Sequence, residues 1–360
     1  MSRPNVVITL NENDTLKFTL NGVNVSIANA IRRIILSDIP TVVLKPEKCT
    51  IAKNTSRLNN EIIKQRLGCV PVHINDMNAP VEDFRAEIKY KNDSDIIKYV
   101  TTENFRVFMK DNEITKDVLR KIFPANPLTH HFIDLVRLRP KLSNEIGGEE
   151  IDITCQLSIG TARDNAMYNV ASTCVYGNTV DPVAINKQWN IKKKELSGKG
   201  LSKDDIEYEH KNWLILDSKR HFIKDSFDFI IQTLGVFSNE KLVLIACSIM
   251  RTKLQAIIDN ITEISVKPSD TTIANSYDVK LENEDYTLGK VIEYNLYDNY
   301  YLGDKSLSFV GFSKRHPHDN YSIIRIALQD AGEADLVRRY ITNACEISIA
   351  QFESISRHFN

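Results

Sequence analysis

Two histidine pairs and a scatter of adjacent carboxylates are the side chains in this sequence with the types and spacing for chemistry. His130 and His131 precede Asp134 in the pattern His-His-x-x-Asp, and His316 and His318 flank Pro317. Both sets hold ligand types for a divalent metal, but adjacent histidines point apart on an extended or helical segment, and the pair around Pro317 has only two ligands in reach. Satisfied surface or core roles are the reading for both, so no metal and no cofactor are expected. Glu149-Glu150, Asp204-Asp205 and Glu284-Asp285 are pairs of the acid–base type. Their loop and helix-entry contexts point instead to charge placed near helix N-termini. The chain has no phosphate-binding P-loop, no dinucleotide fingerprint, no nucleophile elbow and no tight aspartate triplet for two-metal nucleotidyl transfer. No catalytic residue is assigned, and binding is the expected mode of action.

The remaining reactive side chains are equally quiet. Cys49, Cys69, Cys155, Cys174, Cys247 and Cys345 form no C-x-x-C pair, so reduced structural thiols are expected. Lys and Arg number 46 against 47 Asp and Glu, a net charge of -1, which lacks the basic footprint of a chain that grips a phosphate backbone. DNA and RNA are therefore expected to be met only through another protein. The N-terminus, MSRPNVVITL, alternates like a strand rather than a signal peptide, and no apolar run reaches the ~20 residues of a membrane span. An intracellular, soluble protein with no membrane partner is the expectation, and the sequons at Asn54 and Asn92 carry little meaning. A chain of 360 residues predicts two or three domains.

Arg32 and Arg33 are the cations with the most informative setting. They lie in ANAIRRIILSDIP, residues 28–40, where Ile27, Ala30, Ile31, Ile34 and Ile35 make one apolar stripe and the arginines project to its side. Ser26 is positioned to cap this helix and Pro40 to stop it. A second helix entry, EDYTLGKVIEYNL, occupies residues 284–296.

Between these signals the chain alternates strands and helices in an α+β pattern. VVITL and TLKFTL flank the polar turn NEND, and Asn21-Gly22 after them is a strong hairpin signal, so a hairpin is expected to lead into the opening helix. RLGCVPVHI, residues 66–74, is broken by Gly68 and Pro71 and reads as a loop feeding an edge strand. Residues 82–123 suggest a small sheet with a polar helix near DVLRKIF, and IDITCQLSI and VASTCVY are further strands. Residues 187–211, rich in Lys, Glu, Asp and Gly, are expected to form an excursion or mobile loop. FDFIIQT is a strand, Gly235 a turn and Ser238 the cap of a long helix whose stripe includes Leu242, Ile245, Ala246, Ile249, Leu254, Ile257, Ile258 and Ile261. Beyond Ile264 come strand, helix, strand, a His316-Pro317 turn, strand and a terminal helix from about Glu333. That last helix, ~39 Å long at 1.5 Å per residue, carries Leu336, Tyr340, Ala344, Ile347, Phe352, Ile355 and Phe359 as its stripe.

ANAIRRIILSDIPTVVL followed by RLGCVPV resembles the signature of the α-like subunits of multisubunit RNA polymerases: the bacterial alpha subunit, the archaeal D subunit and the third-largest eukaryotic subunit. VASTCVYG resembles the segment closing their inserted domain, and FIIQTLGVFSNEKLVLIACSIMRTKL their last strand and dimerisation helix, so the resemblance covers residues 1 to about 262. The remainder, with EDYTLG and VGFSKRHPHDNYSIIRIAL, is similar to the small L-type partner subunit, although Arg315 and His318 stand where that family usually has proline and leucine. The cysteine-bearing element often inserted in the second domain is absent. A single chain holding both halves resembles the polymerase subunit of asfarvirus-type large DNA viruses, which implies host cytoplasm and virion as its locations.

The resemblance implies an α-like dimerisation domain, a mixed sheet with helices on one face, at residues 1–45 and 175–262. It implies an inserted β-rich domain at 46–174 and an L-like partner domain at 263–360, the two dimerisation domains forming a pseudo-twofold internal heterodimer. The dimer interface would use Ile27, Ile31, Ile34, Ile35, Leu242, Ile245 and Ile249 against Leu288, Val291, Ile292, Leu336, Tyr340 and Ile347. Arg32, Arg33, Arg66, Leu67, Gly68 and Pro71 would face the two largest polymerase subunits, with small accessory subunits docking elsewhere. The implied function is a non-catalytic assembly platform for DNA-templated transcription. A solvated arginine face, an ordinary turn at Gly68, a free-standing adaptor retaining the dimerisation fold and an enzyme using the histidine pairs are the competing readings.

Overall fold

The computed structural model describes residues 4–360 except Asn78, Leu142, Asn144 and Ile146. The elements run β1 (Asn5–Glu12), β2 (Thr15–Asn21), α1 (Val25–Ser37), β3 (Thr41–Asn54), α2 (Asn60–Gly68), β4 (Phe84–Lys91), β5 (Lys98–Thr101), β6 (Arg106–Met109), β7 (Asn112–Glu113) and α3 (Lys116–Ile122). They continue with β8 (Asp134–Leu138), β9 (Glu150–Gly160), β10 (Ala171–Val180), α4 (Pro182–Gly198), α5 (Lys203–Ile215), β11 (Phe222–Thr233) and α6 (Asn239–Asp259). The last set is β12 (Val266–Pro268), β13 (Ser276–Glu282), α7 (Tyr286–Leu296), β14 (Leu307–Ser313), β15 (Tyr321–Leu328) and α8 (Ala334–Ser356). The fold is α+β, as the pattern predicts. Residues up to Arg33, Cys174–Ile231 and Val243–Asn360 make one compact unit, and Ile34–Thr173 with Gln232–Leu242 make the other.

The first unit contains two four-stranded sheets, ordered β1-β2-β11-β10 and β12-β13-β15-β14. Their orders correspond. In each, the strand before the first helix (β2, β13) lies between an outer strand (β1, β12) and the strand leading into the long helix (β11, β15), whose other neighbour is the strand that precedes it in its sheet. The β1–β2 hairpin turns at Asn13 and Asp14, with φ of 48° and 59°, a left-handed conformation that Asn and Asp tolerate. Asn21-Gly22 closes no hairpin: Gly22, at φ 73°, takes the chain out of β2 and donates its N–H to the Asp225 carbonyl at 2.8 Å. Alternation along β2 buries Leu16, Phe18 and Leu20, and Phe18 stacks on Phe229 with ring centroids 4.9 Å apart.

Residues 187–211 are not a loop; they fall mostly in the helical pair α4 and α5. Asp181 caps α4 by accepting from the N–H groups of Val183 and Ala184, with Pro182 in the first turn. Ser202 and Asp205 form a reciprocal capping box on α5. Trp189 packs on His210 (4.2 Å) and Trp213 (5.6 Å), so one small aromatic cluster holds two otherwise polar helices.

The second unit is built on the sheet β3-β9-β4-β6-β7 and the pair β5-β8. Leu44, Ile63, Leu67, Ala86, Ile88, Val107, Ile153 and Leu157 belong to one hydrophobic core cluster in it. The expectation of six reduced thiols fails for two of them. Cys49 on β3 is directly opposite Cys155 on β9, and the two are joined as a disulfide with Cα atoms 4.1 Å apart. Cys69, Cys174, Cys247 and Cys345 are free.

Candidate assembly interface

Helix α1 forms where the apolar period runs, but its start differs from expectation. Asn24, not Ser26, supplies the cap: its Oδ1 accepts from the Ser26 N–H at 2.9 Å. Ser37 is the last helical residue, and Pro40 stands just beyond it. Ile27, Ala30, Ile31, Ile34 and Ile35 are all 1 % exposed or less, so the whole predicted stripe is inside.

The two arginines behave differently from one another. Arg32 folds back on its own helix and donates to the Asn29 Oδ1 at 2.8 and 3.0 Å. Arg33 reaches the carboxylate of Asp285 at 2.8 Å. Asp285 uses its other oxygen to accept from the Thr287 N–H at 2.8 Å, which caps α7. Beside them Lys253 of α6 approaches Glu284 at 3.4 Å, and farther along Arg251 meets Glu353 of α8 at 2.8 Å. In all three pairs the cation precedes residue 262 and the acid follows it. Phe18 also meets Phe359 edge-on at 5.1 Å, and Arg338 donates to the Ile261 carbonyl at 3.3 Å. Burial raises the Tyr294 phenol pKa, and the Asn24 side chain bonds to it. Glu284 and Asp285 therefore serve as ion-pair and capping groups.

Leu288, Val291 and Ile292 are buried on α7, and Leu242 on α6. Two of the expected helix stripes are enclosed only in part. On α6, Ile245 and Ile249 are half-buried and the enclosed face carries Val243, Ala246, Cys247 and Met250. On α8, Leu336 is 36 % exposed, Tyr340 and Ile347 are half-buried, and Val337, Ile341, Ala344, Ser348 and Phe352 point inward. Leu242, Ala246, Leu254 and Ile257 on α6 and Ala344, Phe352 and Ile355 on α8 are buried positions of those stripes, and Val243, Cys247, Met250, Val337, Ile341 and Ser348 widen the buried face. Sequence reading also missed Asn295 and Ser348, both fully buried, whose Nδ2 and Oγ bond at 2.7 Å between α7 and α8. A lone Asn inside an apolar helical run was the signal available.

In the second unit RLGCVPVHI begins inside helix α2 rather than in a loop, because Asn59 caps it with a bond to the Ile62 N–H at 2.9 Å. Arg66 is exposed and donates to the Asp134 carbonyl at 2.6 Å. Leu67 is fully buried and Gly68 is enclosed so that a Cβ there would overlap the Met167 sulfur, while Pro71 is half-buried. Leu67 and Gly68 thus shape the segment from within and offer no surface. His130 and His131 are exposed, and among the described residues no three His, Cys, Asp or Glu side chains converge as a metal site. Among the same residues no helix is long and apolar enough to cross a membrane.

The sequence profile of the RNA polymerase Rpb3/Rpb11 dimerisation domain matches residues 17–254. The chain belongs to the Rpb3/Rpb11 family. It is similar to the DNA-directed RNA polymerases I and III subunit RPAC1 of Bos taurus, 23% identical over 306 residues that cover 72% of this chain and 85% of that protein. The DNA-directed RNA polymerase subunit Rpo3 of Pyrococcus furiosus is 25% identical over 280 residues, 72% of this chain and 98% of the relative. The DNA-directed RNA polymerases IV and V subunit 3B of Arabidopsis thaliana is 24% identical over 299 residues, 71% and 90% of the two chains. These relatives are non-catalytic assembly-platform subunits of DNA-directed RNA polymerases, and this Rpb3/Rpb11-family chain is one of that kind. The matched span contains α1 and most of α6 and ends before the acids at Glu284, Asp285 and Glu353.

Proposed function

We propose that residues 263–360 supply, within one chain, the L-type partner of an Rpb3/Rpb11 pair, and that this internal pair carries the two largest polymerase subunits. The observation that carries the reading is the corresponding strand order of the two sheets in the first unit, each with a capped helix after its second strand, joined by Arg33 and Asp285. Residues 1–45 and 175–262 are then the α-like dimerisation domain, 46–174 the inserted domain and 263–360 the partner domain. An isologous dimer made from two copies of such a motif is related by a twofold axis, and here two different motifs would stand in that relation. A covalent link raises the effective concentration of the halves to roughly the mM range, so pairing no longer depends on the supply of a separate subunit.

In this reading DNA and RNA are met only through the assembled enzyme, and small accessory subunits join afterwards. The exposed Arg66 and the half-buried Pro71 remain available to a large subunit, whereas Arg33 is engaged within the chain. The fused arrangement also supports assignment to an asfarvirus-type polymerase, with host cytoplasm and virion as its locations. Affinity purification of the tagged chain from cells expressing the polymerase tests the proposal: two much larger chains should co-elute in stoichiometric amounts. Elution of the chain by itself would favour a free-standing adaptor.

A further inference from the structure

The second unit holds a cleft of about 650 Å³ whose wall is unusually rich in guanidinium groups: Arg57, Arg66, Arg137 and Arg139. Only Arg139 is neutralised, by the buried Glu149 at 2.6 Å. Arg66 donates to a carbonyl, and among the described residues no carboxylate lies within ion-pair distance of Arg57, Arg66 or Arg137. The guanidinium groups of Arg57, Arg66 and Arg137, sharing one concave wall, repel one another, which favours an anion between them. Tyr99, 54 % exposed, is paired across the strands with Arg137, so an aromatic face stands beside that cation. Leu58, half-buried, adds apolar lining.

We propose that this cleft is a docking site for an acidic, partly apolar peptide segment of a partner protein. Planar guanidinium forks match carboxylates two bonds at a time, and the Tyr99 and Leu58 surfaces accept the aliphatic or aromatic residues between them. Two observations favour a peptide over a nucleic acid. The chain's net charge is -1, without the overall basic excess of a chain that grips a phosphate backbone. The volume suits a few side chains rather than a run of nucleotides. The cleft is independent of the internal pairing, since all of its residues lie in the second unit.

The test is fluorescence anisotropy on the full chain with a labelled dodecapeptide alternating Asp or Glu with Leu, and with a labelled thymidine dodecanucleotide in parallel. The peptide should bind, and Arg57→Glu combined with Arg137→Glu should weaken it at least about tenfold while the melting temperature holds, both side chains being exposed. Arg220→Glu, a change at an exposed arginine of the first unit, should leave binding unaltered. Absence of peptide binding, equal binding by the double variant, or tighter binding of the oligonucleotide with loss in the same variant would each overturn the proposal.

Discussion

Arg33 and Asp285 are 252 residues apart in the chain and 2.8 Å apart in space. The contact ties the end of the first helix's arginine edge to the cap of α7, so one carboxylate serves both the ion pair and the helix start. A double-mutant cycle separates the two roles. Because the Arg33 side chain is 36% exposed, the coupling between Arg33→Ala and Asp285→Asn, read from urea unfolding, should be only about 0.5–1 kcal/mol. Asp285→Ala should cost about 1 kcal/mol more than Asp285→Asn, since Asn still caps a helix. A zero coupling would remove the ion pair from the account.

Gly289 sits on α7 beneath the Phe312 ring of β14, and a methyl group at that position would overlap the ring. Gly289→Ala should therefore destabilise by about 1–3 kcal/mol despite the better helix propensity of alanine. Thermal melts of the variant would show the loss; an unchanged or raised melting temperature would mean that α7 does not approach the strand so closely.

Burial along α8 is open to a direct comparison. Ile341 is fully buried and Leu336 is 36 % exposed. Ile341→Ala should cost about 2–5 kcal/mol, and Leu336→Ala less than about 1 kcal/mol. Equal losses in denaturant titrations would contradict this difference in burial.

Burial pushes the thiols of Cys174, Cys247 and Cys345 up to about 12, whereas Cys69 is exposed. Ellman's reagent should label Cys69 in the native protein and reach the other three only on unfolding. Fast labelling of Cys247 at neutral pH would contradict the packing of α6.

Burial holds His73 below its ordinary value of 6.5, so it stays neutral when the unfolded chain begins to take up a proton. Its contribution is fully present above about pH 6.5 and declines as pH falls below that value toward the lowered folded pKa. The urea midpoint should drop between about pH 7.5 and about pH 5.5, and less so in His73→Gln. A parent and variant with parallel pH profiles would show that His73 is not the group responsible.

Much of this architecture was legible because it rests on short-range periodicity. Ile27, Ile31, Ile34 and Ile35 repeat at helical spacing among polar neighbours, and one-sided burial follows. What escaped depends on choices that periodicity does not encode. Asn24 outcompetes Ser26 for the cap by geometry alone. Helices α4 and α5 bury little beyond Trp189 and Trp213, so their stripe is too thin to read, although the Ser202–Asp205 box was visible in the letters. The Cys49–Cys155 contact is set by the register of β3 against β9 across 106 residues, and no local pattern reports it. Arg33 and Asp285 are each legible as a charge beside a helix; that they meet is a tertiary fact.

Native mass measurement of the complex captured through this chain tests the platform account most directly. The prediction is one copy of the chain with two much larger subunits and no separate small L-type partner, because in the proposed arrangement residues 263–360 fill that place. A chain recovered alone, or in a stable pair with a separate L-type subunit, would contradict it.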